Sequence, residues 1–231
     1  MKLLILRPRV GGDATAVRAG RLGFDPVVAP LFHYRSLPWS PPDPKTVDAV
    51  LLTSAAAVRL GGDGLARFRS LPVQAVGTAT ADAARLAGFT DITTSGKDAD
   101  AALIQLAARG HRVILHLAGR EHIAVERPSL SIQRIPVYAA DAVDRLPDAA
   151  AAALADRAVV LLHSPRAATV FAGLVRTRTT VRIACFSSAV ADAANAGWAG
   201  VAVATHPTDD ALFAAARLLC DQELDGMLEP Q

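Results

Sequence analysis

Hydroxyl-bearing and basic residues recur directly after short apolar runs in this sequence. Arg7 closes the first run; Thr53-Ser54, Gly77-Thr78-Ala79-Thr80, Gly119-Arg120, Ser164-Pro165-Arg166 and Ser187-Ser188 follow later ones. If the runs are parallel strands, these residues sit at strand carboxyl ends, where helix N-termini present free backbone N–H groups and ligands bind. The chemistry open to them is holding an anion. Serine and threonine are also preferred helix N-caps, so capping accounts for any one of them; the set, gathered at one end of each sheet, favours an anion-binding face. Gly77-Thr78-Ala79-Thr80 is no phosphate loop, because no lysine follows and the glycine spacing of a dinucleotide site is missing. His116 and His122 are six residues apart with no carboxylate pattern between them, which gives no metal spacing. Ser164 lacks the glycine frame of a nucleophile elbow. No cofactor is expected.

Tyr138 is the leading candidate for proton transfer. A phenol can donate a proton, and the internal repeat described next sets Phe32 at the matching place, so the fold itself asks only for an aromatic ring. A tyrosine bonded to a backbone carbonyl is the alternative. Tyr34 is a weaker candidate of the same type.

The elements that must position these residues alternate. Strands are expected at 3–6, 27–32, 49–53, 73–76, 91–94, 112–117, 134–138, 159–163, 182–186 and 200–204, with alanine-rich helical segments such as 79–87, 99–108, 167–175, 189–196 and 209–219 between them. This alternation predicts right-handed βαβ units and parallel sheets covered on both faces. The chain also repeats itself. Ala49-Val50-Leu51-Leu52-Thr53-Ser54 returns 110 residues later as Val159-Val160-Leu161-Leu162-His163-Ser164, and Ala81-Asp82-Ala83-Ala84 returns as Ala191-Asp192-Ala193-Ala194. Gly88-Phe89 returns as Gly197-Trp198 with one residue deleted, and the acidic helix start Asp98-Ala99-Asp100 returns as Thr208-Asp209-Asp210. The first copy continues through a strand-helix-strand from Arg112 to Tyr138. The N-terminus supplies the match for the second, 3–6 answering 114–117 and Pro30-Leu31-Phe32 answering Pro136-Val137-Tyr138. The expected organisation is therefore two flavodoxin-like parallel-sheet domains, one continuous over 38–137 and one discontinuous, 1–33 plus 142–231. Two crossings, 33–38 and 138–144, would form a two-stranded hinge over a cleft, with Tyr138 on it.

The totals fit this reading. The 231 residues are 52% hydrophobic and 20% charged, enough for two cores. A net charge of +2 with no run of five basic residues is too small to imply a nucleic-acid binder, and no nucleic-acid partner is expected. No stretch of 18 apolar residues lacks a charge or a breaker, so no membrane span is expected. The apolar stretch at the N-terminus is too short for a signal peptide and reads as a buried strand. Cys185 and Cys220 read as buried, reduced thiols of a cytoplasmic protein.

Several segments together resemble the uroporphyrinogen-III synthase family: Leu4-Ile5-Leu6-Arg7-Pro8, Leu51-Leu52-Thr53-Ser54-Ala55-Ala56-Ala57-Val58-Arg59, Ala75-Val76-Gly77-Thr78-Ala79-Thr80-Ala81, Gly119-Arg120-Glu121, Pro136-Val137-Tyr138 and Leu161-Leu162-His163-Ser164-Pro165-Arg166-Ala167. The resemblance spans nearly the whole chain in order. It implies a lyase of heme biosynthesis that closes hydroxymethylbilane, a polyanionic linear tetrapyrrole, into uroporphyrinogen III with inversion of ring D and loss of water. It also implies a monomer. By position Tyr138 resembles the family's tyrosine thought to assist departure of the hydroxyl. Thr80, Ser54 and Ser164 resemble its threonine and turn serines, and Arg7 and Arg120 resemble arginines that face carboxylate arms. The second repeat departs from the pattern: Val190 stands where a threonine is expected, leaving Ser187 or Ser188 as substitutes. The competing readings are a non-catalytic two-lobed binding protein for an acidic small molecule and a degenerate structural member of the family.

Overall fold

The structure is a computed structural model that describes residues 1–95, 98–122 and 124–226, the last seven as backbone only. The chain divides into two compact units, 1–33 with 142–231 (unit 1) and 34–141 (unit 2). Each is built on a sheet of parallel strands covered by helices.

In unit 1 the strands are β1 (Lys2–Ile5), β2 (Asp25–Val28), β9 (Val159–Leu162), β10 (Arg182–Cys185) and β11 (Gly200–Val203), in the order β11-β10-β9-β1-β2. Its helices are α1 (Arg9–Arg21), α5 (Asp148–Ala155), α6 (Pro165–Leu174), α7 (Ser188–Ala194) and α8 (Asp209–Gly226). In unit 2 β4 (Ala49–Leu52), β5 (Val73–Val76), β6 (Ile92–Ser95), β7 (Val113–Gly119) and β8 (Ser131–Ala142) are joined by α2 (Ala55–Leu60), α3 (Thr78–Leu86) and α4 (Ala99–Ala108). The sheet order is β3-β8-β7-β4-β5-β6, with β3 (Phe32–Ser36) at the edge. Hydrogen bonds from Leu37 N to Val137 O and from Val143 N to Leu31 O show that β3 runs antiparallel to β8.

The central strands are apolar along their whole length. Val159-Val160-Leu161-Leu162 and Ala49-Val50-Leu51-Leu52 are buried at every position, as a strand covered on both faces requires. Alanines at 167, 168 and 172 let α6 approach its sheet closely around the fully buried Phe171. The internal repeat is matched by strand register. Ile5 pairs with Leu161 where His116 pairs with Leu51, and Leu161 pairs with Ala184 where Leu51 pairs with Gln74.

Two expectations are corrected. The strand expected at 27–32 is two strands, β2 and β3, separated by Ala29-Pro30-Leu31; Pro30 has no N–H to give to a ladder. The strand-helix-strand expected from Arg112 to Tyr138 has no helix among the described residues: 120–122 and 124–130 are irregular, whereas unit 1 carries α1 at that place. Ion pairs replace helical turns there, with Arg134 bonded to Glu126 and Arg127 to Asp100. Of the cysteines, Cys185 is a buried free thiol whose pKa burial pushes up to about 12; the side chain of Cys220 lies outside those described.

Candidate active site

In unit 2 the carboxyl edge of the sheet gathers Thr53 and Ser54 after β4, Gly77 and Thr78 after β5, Gly119 and Arg120 at the end of β7, and Tyr138 in β8. Ser54 caps α2, its Oγ accepting from Ala56 N–H at 3.1 Å. Gly77 has φ +81°, a left-handed conformation that favours glycine, and gives α3 no side-chain cap, so the first-turn amides of that helix remain open. Thr78 is exposed, whereas Thr80 turns inward with 5% exposure.

Gly119 and Tyr138 face each other across β7 and β8, beside a register irregularity at Ala118/Gly119. A Cβ built on Gly119 would lie 2.8 Å from Tyr138 Cζ and 2.9 Å from its hydroxyl oxygen, so a side chain there would displace the ring. The Tyr138 ring is half-buried and packs 5.6 Å from that of Tyr34. Among the described residues its phenol makes no hydrogen bond to protein. Arg120 N–H donates to Tyr138 O at 2.8 Å, while the Arg120 guanidinium bonds Glu121 at 2.7 Å and Asp141 at 2.6 Å. Asp141 also accepts from Arg35 at 2.6 Å, and these two arginines hold its carboxyl below the usual range. Arg120 is thus already held by two carboxylates.

Beneath this edge lies His116, a residue that the sequence reading weighed only as a metal ligand. It is 3% exposed, and its Nε2 is 3.1 Å from Thr53 Oγ1. Burial, with smaller contributions from the nearby charges of His122 and Arg134, lowers its pKa to about 4. His122 Nδ1 lies 2.9 Å from Gly119 O, its ring edge-on to His116 at 5.9 Å.

The carboxyl edge of unit 1 is built differently. Arg7, after β1, extends over the first turn of α1, where a Cβ on Gly11 would come within 2.7 Å of its Nε. Its Nη1 reaches Asp209 Oδ1 at 3.6 Å and Thr15 Oγ1 at 3.4 Å. Asp209 opens α8 and is 7% exposed; its Oδ2 accepts from Thr15 at 2.8 Å and lies 3.5 Å from Arg18. His163 Nε2 stands 3.4 Å from Asp209 Oδ1, within ion-pair reach but without hydrogen-bond geometry. Burial raises the Asp209 pKa, but His163, Thr15 and Arg18 outweigh it and hold the carboxyl at about 2. Ser164 caps α6, accepting from Ala167 N–H at 3.2 Å, and the Arg166 guanidinium lies 4.6 Å over the ring of Phe32. Ser187 caps α7 without a side-chain hydrogen bond, and Ser188 is exposed. Val190 is buried at 2%, like Thr80 at the matching place, so the substitution falls inside the fold.

Sequence reasoning missed His116, His163, Asp209, Thr15 and Arg18 as site residues. The available signal was a polar residue in or directly after an apolar strand, and an acidic residue at N1 of the last helix.

These features define a class: paired parallel α/β units whose carboxyl edges are lined with hydroxyls, backbone amides and arginines. The family model described as uroporphyrinogen-III synthase HemD matches residues 13–214, and the chain belongs to that family of lyases of heme biosynthesis, which act on a small-molecule tetrapyrrole. Among solved structures, uroporphyrinogen-III synthetase from Helicobacter pylori 26695 is similar with a TM-score of 0.65 at 14% identity, covering 94% of this chain and 99% of that one. A mutant uroporphyrinogen III synthase from the extremely thermophilic bacterium Thermus thermophilus is similar with a TM-score of 0.52 at 17% identity, covering 96% and 99%. At these identities the likeness concerns the fold. No curated protein sequence matches the chain. The non-catalytic binding reading is not favoured. Among the described residues no helix is long and apolar enough to cross a membrane.

Proposed function

We propose that this chain carries out the family's cyclisation with Tyr138 as the general acid and with the carboxyl edge of each unit holding carboxylate arms of the substrate. Hydroxymethylbilane loses its terminal hydroxyl as water, the substituted carbon of ring D attacks the electrophilic methylene left behind, and the spiro intermediate so formed breaks and recloses with that ring inverted and a proton lost. Tyr138 donates the proton that lets hydroxide leave as water. The observation that carries this role is the phenol's position: on the carboxyl edge, laid against a glycine that leaves room for it, and with its hydroxyl free of protein partners among the described residues.

In unit 2 the hydroxyls of Thr53, Ser54 and Thr78 and the amides after Gly77 suit the anionic arms, with Arg120 held close by. In unit 1 Arg7, Ser164, Arg166, Ser187 and Ser188 do the same. Thr80, being buried, serves packing. Much of the acceleration comes from fixing a flexible chain in one reactive geometry and excluding the uninverted closure. We further infer a cytoplasmic monomer, for which the free, buried thiol of Cys185 fits a reducing compartment.

A coupled assay with freshly generated hydroxymethylbilane, resolving type I from type III product by chromatography, tests the reading. Type III product in excess of the unassisted background is expected. Background type I alone from well-folded protein refutes it.

A further inference from the structure

His116 is an unusual occupant of its strand. β7 is otherwise Val113, Ile114, Leu115, Leu117, Ala118 and Gly119, and the register match puts Ile5 at the corresponding place in unit 1, so the fold is satisfied by an aliphatic residue. A histidine buried to 3% exposure carries a desolvation cost that an isoleucine would not. Its Nε2 is directed at one group, Thr53 Oγ1, at 3.1 Å. Thr53 follows the last residue of β4 and is half-buried, with His116 on its inner side. Ser54 next to it already spends an acceptor on the cap of α2.

We propose that His116 is a positioning residue for substrate binding: its Nε2–H donates to Thr53 Oγ1 and turns the Thr53 hydroxyl hydrogen outward, as a donor to a substrate carboxylate. This rests on the reading of Thr53 as a substrate-facing group. A neutral imidazole has one donor and one acceptor nitrogen. With the opposite tautomer Thr53 would donate inward and present lone pairs to an anion, which repels it. With a pKa near 4 the ring stays neutral at neutral pH, so it adds orientation and no charge. His122, edge-on at 5.9 Å and anchored to Gly119 O, closes the other side of the ring and links this pair to the glycine under Tyr138.

The test is a double-mutant cycle read as KM against kcat for freshly generated hydroxymethylbilane, with melting temperature followed in parallel. His116→Met and Thr53→Val should each raise KM about 3- to 10-fold, the worth of one hydrogen bond, with kcat little changed. The double variant should be no worse than Thr53→Val alone, and His116→Gln, which keeps an N–H within reach, should recover most of the loss. An unchanged KM in His116→Met, or single effects that multiply in the double variant, would overturn the proposal. A purely structural role would lower the melting temperature without this coupling. Nitrogen NMR of the His116 ring is independent of turnover. It should find the proton on Nε2 and a ring signal that shifts in Thr53→Val; a proton on Nδ1 alone overturns the proposal even if the family reaction fails, and also if His116→Met does not fold.

Discussion

The two units share one strand order and register, yet their carboxyl edges differ in kind. In unit 1 the edge is organised around a buried carboxylate, Asp209, with Arg7, Arg18, Thr15 and His163 about it. Through the repeat, Asp209 corresponds to Ala99, His163 to Thr53 and Arg7 to Ala118. Every ionic member of that trio is thus small or neutral in unit 2, where the buried group is a neutral histidine and the added hydroxyl is a phenol. A duplicated frame has kept its apolar register and diverged mostly at the positions just beyond the strands, with His116 in place of Ile5 the exception inside one. There a side chain is not committed to the core and can change without loss of fold.

The comparison breaks first at Asp209. Asp209→Ala removes the carboxylate facing two arginines and the acceptor of Thr15. Losing one partner of a buried ion cluster typically costs about 3–5 kcal/mol, and the low end applies because Arg7 and Arg18 are 36% and 47% exposed and can rehydrate. Urea unfolding should show a loss of about 3 kcal/mol. A loss under about 1 kcal/mol would mean that the cluster does not hold unit 1 together.

Acid should separate the two edges next. His116 titrates at about 4 in the folded protein against 6.5 unfolded, so the unfolded state takes up the proton first. Its contribution is full above pH 6.5 and is lost as pH falls toward 4, at most about 3 kcal/mol. Asp209, at about 2 against 3.8, contributes above pH 3.8 and loses that only below it. Unit 2 should therefore weaken at a higher pH than unit 1. Each unit has one tryptophan, Trp39 stacked on Phe68 in unit 2 and Trp198 stacked on Phe171 in unit 1. Single-tryptophan variants should show the Trp39 signal moving to lower urea between pH 6.5 and 4 while the Trp198 signal holds. Both signals falling together across that range would count against the assignment, and His116→Gln should flatten the Trp39 response.

What could be read from the sequence follows the same division. Apolar runs such as 159–162 and 49–52 announce buried parallel strands, and the 110-residue repeat announces their order, because both are set by core packing that tolerates little. The break of 27–32 into two strands was hidden because Pro30 sits inside a β-rich run. The lack of a helix among the described residues after β7 was hidden because the repeat argued for one. Tyr138 was legible as a difference from Phe32. The Asp209 cluster and the His116–Thr53 pair were not, since each joins residues from elements distant in sequence, 194 residues for Thr15 and Asp209 and 63 for Thr53 and His116.

Tyr138 and Phe32 give the comparison its catalytic form. Tyr138→Phe should fold normally, since Phe32 occupies the matching place, and should lower type III turnover about 100-fold, the low end of general-acid assistance, because the hydroxyl is labile. It should lower kcat more than it raises KM. The reverse change, Phe32→Tyr, should leave turnover unaltered. Wild-type turnover by folded Tyr138→Phe would leave positioning alone as the explanation.

The smallest effects test whether the capping serines also hold substrate. Ser54 and Ser164 occupy matching places and each accepts a capping bond, Ser54 from Ala56 N–H two residues on and Ser164 from Ala167 N–H three residues on. Replacing either by alanine should cost about 1 kcal/mol of stability, as loss of an N-cap does, and change KM less than about 3-fold while neighbouring amides still hold the carboxylates. Aspartate caps a helix as well as serine, so Ser54→Asp and Ser164→Asp should restore the stability. Yet each puts a negative charge where an arm of the substrate is held. In unit 1, Arg7 stands 3.6 Å from Asp209 and is 36% exposed, a looser pair that leaves it able to turn toward the added charge. In unit 2, His116 is neutral and Arg120 is already bonded to Glu121 and Asp141. KM should therefore rise more for Ser54→Asp than for Ser164→Asp, and addition of salt should narrow the gap by screening. Equal KM values in the two stable aspartate variants would mean that the serines serve as caps alone and that the anion sites lie elsewhere on each edge.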